Sequence, residues 1–151
     1  MAESLSPVIA RVSYRELKSR QKEGFNFQKV SAVLADYGFL TIRLTSDWQG
    51  ADFIAQHMDG VTFLKVQLKT RLTIDQKYFG KDLFIAFPHQ SAWYLFPHDS
   101  TVEALSRVST YATTPTWRNK GTYNTNSPSK KMLEVLLPFR LGESETSGIA
   151  E

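Results

Sequence analysis

The chain of 151 residues has no cysteine. Disulfides and thiolate metal sites are thereby excluded, and a reducing, cytoplasmic setting is expected. Histidine is scarce. His89 and His98 flank an apolar strand pair with no third ligand pattern nearby, so they read as ordinary surface histidines rather than a zinc site. There is no Gly-rich phosphate loop, no nucleophile elbow and no Cys/His pair, which argues against the enzyme classes built on them. No run approaches a membrane span, and Met1 to Arg20 holds no apolar core of signal-peptide length. No internal repeat or domain linker is visible.

Hydrophobic residues make up 42% and aromatics 13%, enough for one domain with a real core. We expect a single domain over 1–141 and a disordered acidic tail over 142–151. A formal charge of +3 and a pI near 9.2 permit nucleic-acid binding without demanding it.

In chain order, Ser13 and Glu16 have the spacing of a capping box, opening a helix that runs to Asp36 or Tyr37. Phe27, Val30, Val33, Leu34 and Tyr37 form its apolar stripe, and Gly38 stops it. Phe39–Leu44 is a strand, followed by a polar loop through Gly50. Leu83–Phe87 and Ala92–Phe96 form an apolar hairpin. A helix follows from Asp99 to about Ser109. Thr110 to Lys131 is expected to be a long polar loop. Ser127-Pro128 then opens a short helix that docks through Leu133, Leu136 and Leu137.

The centre of the chain is Gln49 to Arg71. Ala51–Ala55 reads as a strand that begins beside Asp52. Phe63–Arg71 reads as a second strand, which Leu72-Thr73-Ile74 is expected to prolong, with Leu64, Val66 and Leu68 on one face and Lys65, Gln67, Lys69 and Arg71 on the other. Met58-Asp59-Gly60 supplies the hairpin turn. The hairpin brings Asp52, Gln67 and Lys69 to one place. Phosphodiester hydrolysis needs a divalent cation, an activated water and a positive charge for the transition state. Asp52, the Gln67 side-chain oxygen and the Leu68 carbonyl are hard oxygen ligands suited to Mg²⁺ or Mn²⁺. Lys69 can orient the water or steady the phosphorane.

Asp52 followed by Gln67-Leu68-Lys69 resembles the active-site signature of the PD-(D/E)XK nuclease superfamily: an acid on one strand, then an acid-any-Lys triplet on the next. Gln67 stands where the second acid is usual, and Ala51 stands where the proline is. The resemblance runs from the helix before Gly38 to the strand ending near Pro97. It implies a restriction-endonuclease-like α/β fold, with a central mixed sheet of about five strands flanked by helices. It also implies a Mg²⁺-dependent DNA endonuclease of homing, restriction or resolvase type. In that family the first helix often presents an acid to the metal, a position that Glu23 comes nearest to filling. Cutting both strands of a duplex favours a homo-oligomer, a dimer or tetramer.

Candidate DNA contacts are Arg15 and Lys18 on the basic start of the first helix, Arg71, Lys77 and Lys81 near the site, and Trp117, Arg118, Lys120, Lys130 and Lys131 in the polar segment. Two other readings compete. One is a catalytically inactive nucleic-acid-binding protein on the same scaffold, which Gln67 favours. The other is a protein-interaction module whose exposed strands pair with a partner.

Overall fold

In the computed structural model, residues 8–142 are described. The expected acidic tail lies outside them apart from Gly142. The first helix starts later than its capping signal suggested. Tyr14–Glu16 forms a single 3-10 turn, and Leu17 is extended at ψ 146°. The α-helix α1 then runs Ser19–Ala35. Ser13 makes no side-chain cap bond. Instead the Gln21 carboxamide accepts the Lys18 N–H at 2.8 Å. Val30 and Leu34 of α1 are fully buried.

Strand β1 (Phe39–Trp48) extends through the expected polar loop. It turns back at Gln49 and Gly50, both with positive φ, the backbone form of a two-residue hairpin. A β-carbon at Gly50 would lie 2.8 Å from Leu83 Cδ1, so glycine is required there for space as well as for φ. Strands β2 (Ala51–His57) and β3 (Phe63–Leu68) form the expected hairpin. Its turn is held by the Asp59 carboxylate, which accepts from the Val61 and Thr62 amides and the Thr62 hydroxyl. Those bonds hold the Asp59 pKa at about 2.

Strand β3 ends at Leu68. Leu72-Thr73-Ile74, expected to prolong it, belongs instead to a separate strand β4 (Leu72–Asp75) that leaves the main sheet. It pairs with β7 (Thr122–Thr125) in a two-stranded sheet. Strands β5 (Leu83–His89) and β6 (Ala92–Pro97) form the apolar hairpin. The short β8 (Arg140–Leu141), unmarked in the sequence, closes the far edge on β6. Among the described residues the central sheet has six strands, in the order β1-β2-β3-β5-β6-β8, in line with the expected mixed sheet of about five. Among the described strands β3 and β5 are the parallel neighbours; the other neighbours are antiparallel.

Two apolar layers sandwich this sheet. Under α1 lie Phe53, Ala55, Val66 and Ala86, with Val30 and Leu34. On the opposite face Ile85, Phe87 and Phe96 meet helix α2 (His98–Ser106), helix α3 (Pro115–Lys120) and helix α4 (Lys130–Leu136). That second layer covers the β5–β6 half, while Leu40, Ile42 and Phe63 at the other half stay exposed.

The segment expected to be a long polar loop is folded. It contains a 3-10 turn at Tyr111–Thr113, α3 and β7. Trp117 is buried edge-on against Tyr111, with ring centroids 5.0 Å apart, so it is a core residue and not a base-stacking surface. Helix α4 is capped by Ser129 rather than Ser127 and docks through Met132 and Leu136, while Leu137 is exposed. Among the described residues no helix is long and apolar enough to cross a membrane. Trp117→Ala should cost about 3–5 kcal/mol in chemical denaturation. A variant as stable as wild type would show that the indole is dispensable to the core.

Candidate active site

The β2–β3 register pairs Phe53 with Val66 and Ile54 with Lys65. One step further along, Asp52 faces Gln67. Directly opposed residues share a face. Phe53 and Val66 point into the layer under α1, so Asp52 and Gln67 point to the other side. The pairing is fixed by a side-chain bond: Asp52 Oδ2 accepts the Leu68 N–H at 2.8 Å. Lys69, two residues beyond Gln67, leaves the sheet with its own N–H bonded to the Ala86 carbonyl at 2.8 Å.

Asp52, Gln67, Leu68 and Lys69 line a cleft of about 930 Å³. Helix α1 contributes Arg20, Glu23, Asn26 and Phe27 to it, and β1 contributes Arg43 to Ser46. Its remaining wall is the segment after β4, with Lys77, Tyr78 and Lys81. Five cations (Arg20, Arg43, Lys69, Lys77, Lys81) thus surround two carboxylates, Glu23 and Asp52. Such a cleft concentrates polyanions.

Lys69 is half-buried. Burial holds its ammonium below the ordinary lysine range, and repulsion from Lys77 adds to this, against the opposing pull of Asp52 and Asp75. The Lys69 and Lys77 ammoniums stand 5.7 and 5.5 Å from the centre of the Tyr78 ring. Tyr78 is itself buried, which fits a cation–π shelf within the cleft wall.

Of the residues picked from sequence, the cleft gathers Asp52, Gln67, Leu68, Lys69, Glu23, Lys77 and Lys81. Arg15, Lys18 and Arg71 are exposed and outside its lining; so are Arg118, Lys120, Lys130 and Lys131. Trp117 is in the core. His98, expected at the surface, is fully buried. Sequence reasoning missed Arg20 and Arg43 as cleft cations. Arg20 lies one turn before Glu23 on α1, a spacing that could have signalled it. Arg43 looked like part of an ordinary strand; it is placed by its pairing with Phe53 and its stacking on Phe27 at 5.3 Å.

No cluster of three or more His, Cys, Asp or Glu side chains suited to a metal exists among the described residues. The oxygen donors at the hairpin are one carboxylate, one carboxamide and a main-chain carbonyl. That set fits a hard, largely hydrated cation such as Mg²⁺, which keeps several waters and shares a substrate phosphate. It does not fit a soft or tightly caged metal.

An acid on β2 faces a Gln-any-Lys triplet that begins on β3 and runs past its end, in a mixed sheet flanked by helices. The described residues thus form an α/β fold around a mixed sheet. No family model matches the chain, and no curated protein matches it. The solved structures similar in chain trace include two nucleases. A Holliday junction resolvase, Hjc from the archaeal hyperthermophile Archaeoglobus fulgidus, has a TM-score of 0.40 and 22% identity over 49% of this chain and 70% of its own. A bacterial homing endonuclease, I-Ssp6803I, has a TM-score of 0.48 and 14% identity over 82% of this chain and 86% of its own. At these identities neither assigns an activity or a substrate to this chain.

Because burial and Lys77 depress the Lys69 pKa, the folded state binds fewer protons here than the unfolded chain. Stability from this group is therefore lost below the folded pKa and recovered as pH rises towards the unfolded value. Lys69→Met should raise the urea midpoint at pH 7, with the gain shrinking in alkaline buffer. A lowered midpoint at pH 7 would reverse the sign.

Proposed function

We propose that this chain is a metal-dependent DNA endonuclease of the PD-(D/E)XK type, hydrolysing phosphodiester bonds. The observation that carries the proposal is the joining of Asp52 to the Gln67-Leu68-Lys69 triplet, through the 2.8 Å bond to the Leu68 amide, inside a cleft rich in cations. Asp52, the Gln67 carboxamide oxygen and the Leu68 carbonyl would hold the metal. When bound, Mg²⁺ or Mn²⁺ supplies Lewis-acid neutralisation of the phosphate and lowers the pKa of a coordinated water. Glu23, contributed to the same cleft by α1, adds a second negative charge.

The protein's own contributions follow from charge and position. Lys69 presents an ammonium to the charge that builds on the phosphorane, and burial strengthens that interaction by excluding water. Tyr78 and Lys77 limit where the Lys69 ammonium can go. Arg20, Arg43, Lys77 and Lys81 hold the flanking phosphates, without reading sequence. DNA is accordingly the partner, and two copies acting on opposite strands explain how a chain that brings one such active cleft cuts a duplex.

Gln67 defines the second reading, a protein that binds DNA on this scaffold and does not cut it, because one carboxylate holds a cation more weakly than two. Incubation of supercoiled plasmid with Mg²⁺ or Mn²⁺ separates the readings. Cleavage should stop on chelation. Lys69→Ala and Asp52→Asn should each slow it on the order of a hundredfold or more. Gln67→Glu should lower the metal concentration needed for half-maximal rate. Salt-sensitive DNA binding with no cleavage under either metal would establish the second reading instead.

A further inference from the structure

His98 is fully buried, lies outside the cleft, and has no part in the chemistry above. Its ring is bonded at both nitrogens. The Asp75 N–H donates to Nε2 at 3.2 Å, so Nδ1 carries the proton that goes to Asp99 Oδ1 at 2.8 Å. The other Asp99 oxygen accepts the Gly80 N–H at 2.9 Å. One side-chain pair at the start of α2 therefore grips both ends of the segment from Asp75 to Gly80.

That segment is the wall of the cleft. Asp75 Oδ1 in turn accepts the Lys77 N–H at 2.9 Å, setting the turn that aims Lys77. The rings of Tyr78 and Phe79 stand edge-on to the imidazole, with centroids 5.5 and 5.0 Å away. Tyr78 turns its ring to the Lys69 and Lys77 ammoniums. Burial works against the Asp99 carboxylate, yet the bonds from His98 and Gly80 hold its pKa below the ordinary range. A core that needed only to fill this volume would use an apolar ring. A doubly bonded imidazole fixes direction as well.

We propose that His98 and Asp99 are positioning residues, which pin the Asp75–Gly80 segment from behind and so hold Tyr78 and Lys77 against Lys69. Neither touches the substrate; both act through the cleft wall. The effect on cleavage rests on the nuclease reading, whereas the pin itself does not.

Two substitutions at one position separate a directional role from simple filling. In His98→Gln the carboxamide oxygen reaches the place of Nε2 and can still accept from Asp75. In His98→Asn the shorter side chain reaches only the place of Nδ1. Asp99→Ala is made at a partly exposed side chain and opens no core cavity. Amide hydrogen exchange is followed for the whole chain, together with kcat and Kd on Mg²⁺-dependent plasmid cleavage.

His98→Asn should speed exchange at Asp75 by about tenfold, the worth of a lost hydrogen bond. It should lower kcat by roughly ten- to a hundredfold with a smaller change in Kd. His98→Gln should restore both. Asp99→Ala should speed exchange at Gly80 and lower kcat, with the unfolding midpoint near that of wild type. The proposal is overturned if exchange at Asp75 and Gly80 is unchanged in the Asn and Ala variants. It is overturned equally if His98→Gln behaves as badly as His98→Asn while both are folded. A wild type that cuts no DNA defeats the nuclease reading, and exchange alone then upholds or overturns the pin.

Discussion

The β2–β3 register is the constraint on which this molecule turns. Side chains alternate across a strand, so a slip of one residue would exchange the two faces. Asp52 would enter the apolar layer beneath α1, and Phe53 would stand in the cleft. Two things prevent the slip. The turn at Asp59 is tied by three bonds to its carboxylate. At the other end of the hairpin, Asp52 itself closes on the Leu68 amide. The proposed metal-binding carboxylate is thus also a structural clamp. The Phe53 ring, packed edge-on to Phe27, supplies the burial that makes the correct register the favoured one.

The rest of the fold completes the cleft around that hairpin. Helix α1 carries Arg20 and Glu23 to one side. Strand β3 stops at Leu68, and the chain swings into β4, whose exit loop brings Lys77, Tyr78 and Lys81 to the other side. Had β3 continued straight, as its apolar alternation allowed, that wall would be missing. The small β4–β7 sheet and α3 therefore serve the site from a distance. The Gln76 amide is held by the Gly121 carbonyl at 2.7 Å, and the Gln76 side chain reaches the Trp117 carbonyl at 3.4 Å.

Local signals survived from sequence to structure. The Asp52, Gln67 and Lys69 grouping was legible because it depends on period-two alternation and a single Asp-Gly turn. The Gly38 stop, a positive-φ glycine just past the helix, and the apolar β5–β6 pair were legible from equally local signals. What failed depends on partners distant in the chain. Leu72-Thr73-Ile74 alternates like any strand, and only its pairing with Thr122–Thr125 shows that it has left the main sheet. Trp117 sits among Thr, Asn and Lys and read as exposed; it is buried because Tyr111 folds back onto it. His98 follows a proline and resembled a turn residue; it is buried with one ring nitrogen bonded to Asp75, in a segment the sequence does not place beside it. The helix start was misplaced because Leu17 adopts an extended conformation that no local pattern announces.

In the proposed function, one carboxylate and one carboxamide meet at a point where a cation binds beside the Lys69 ammonium. Anomalous diffraction from crystals soaked in Mn²⁺ tests it most directly. We expect a single strong peak within about 2.5 Å of an Asp52 carboxylate oxygen, in reach of the Gln67 side-chain oxygen. A cleft without a peak at saturating Mn²⁺, or a peak bound elsewhere while this site stays empty, would contradict the account.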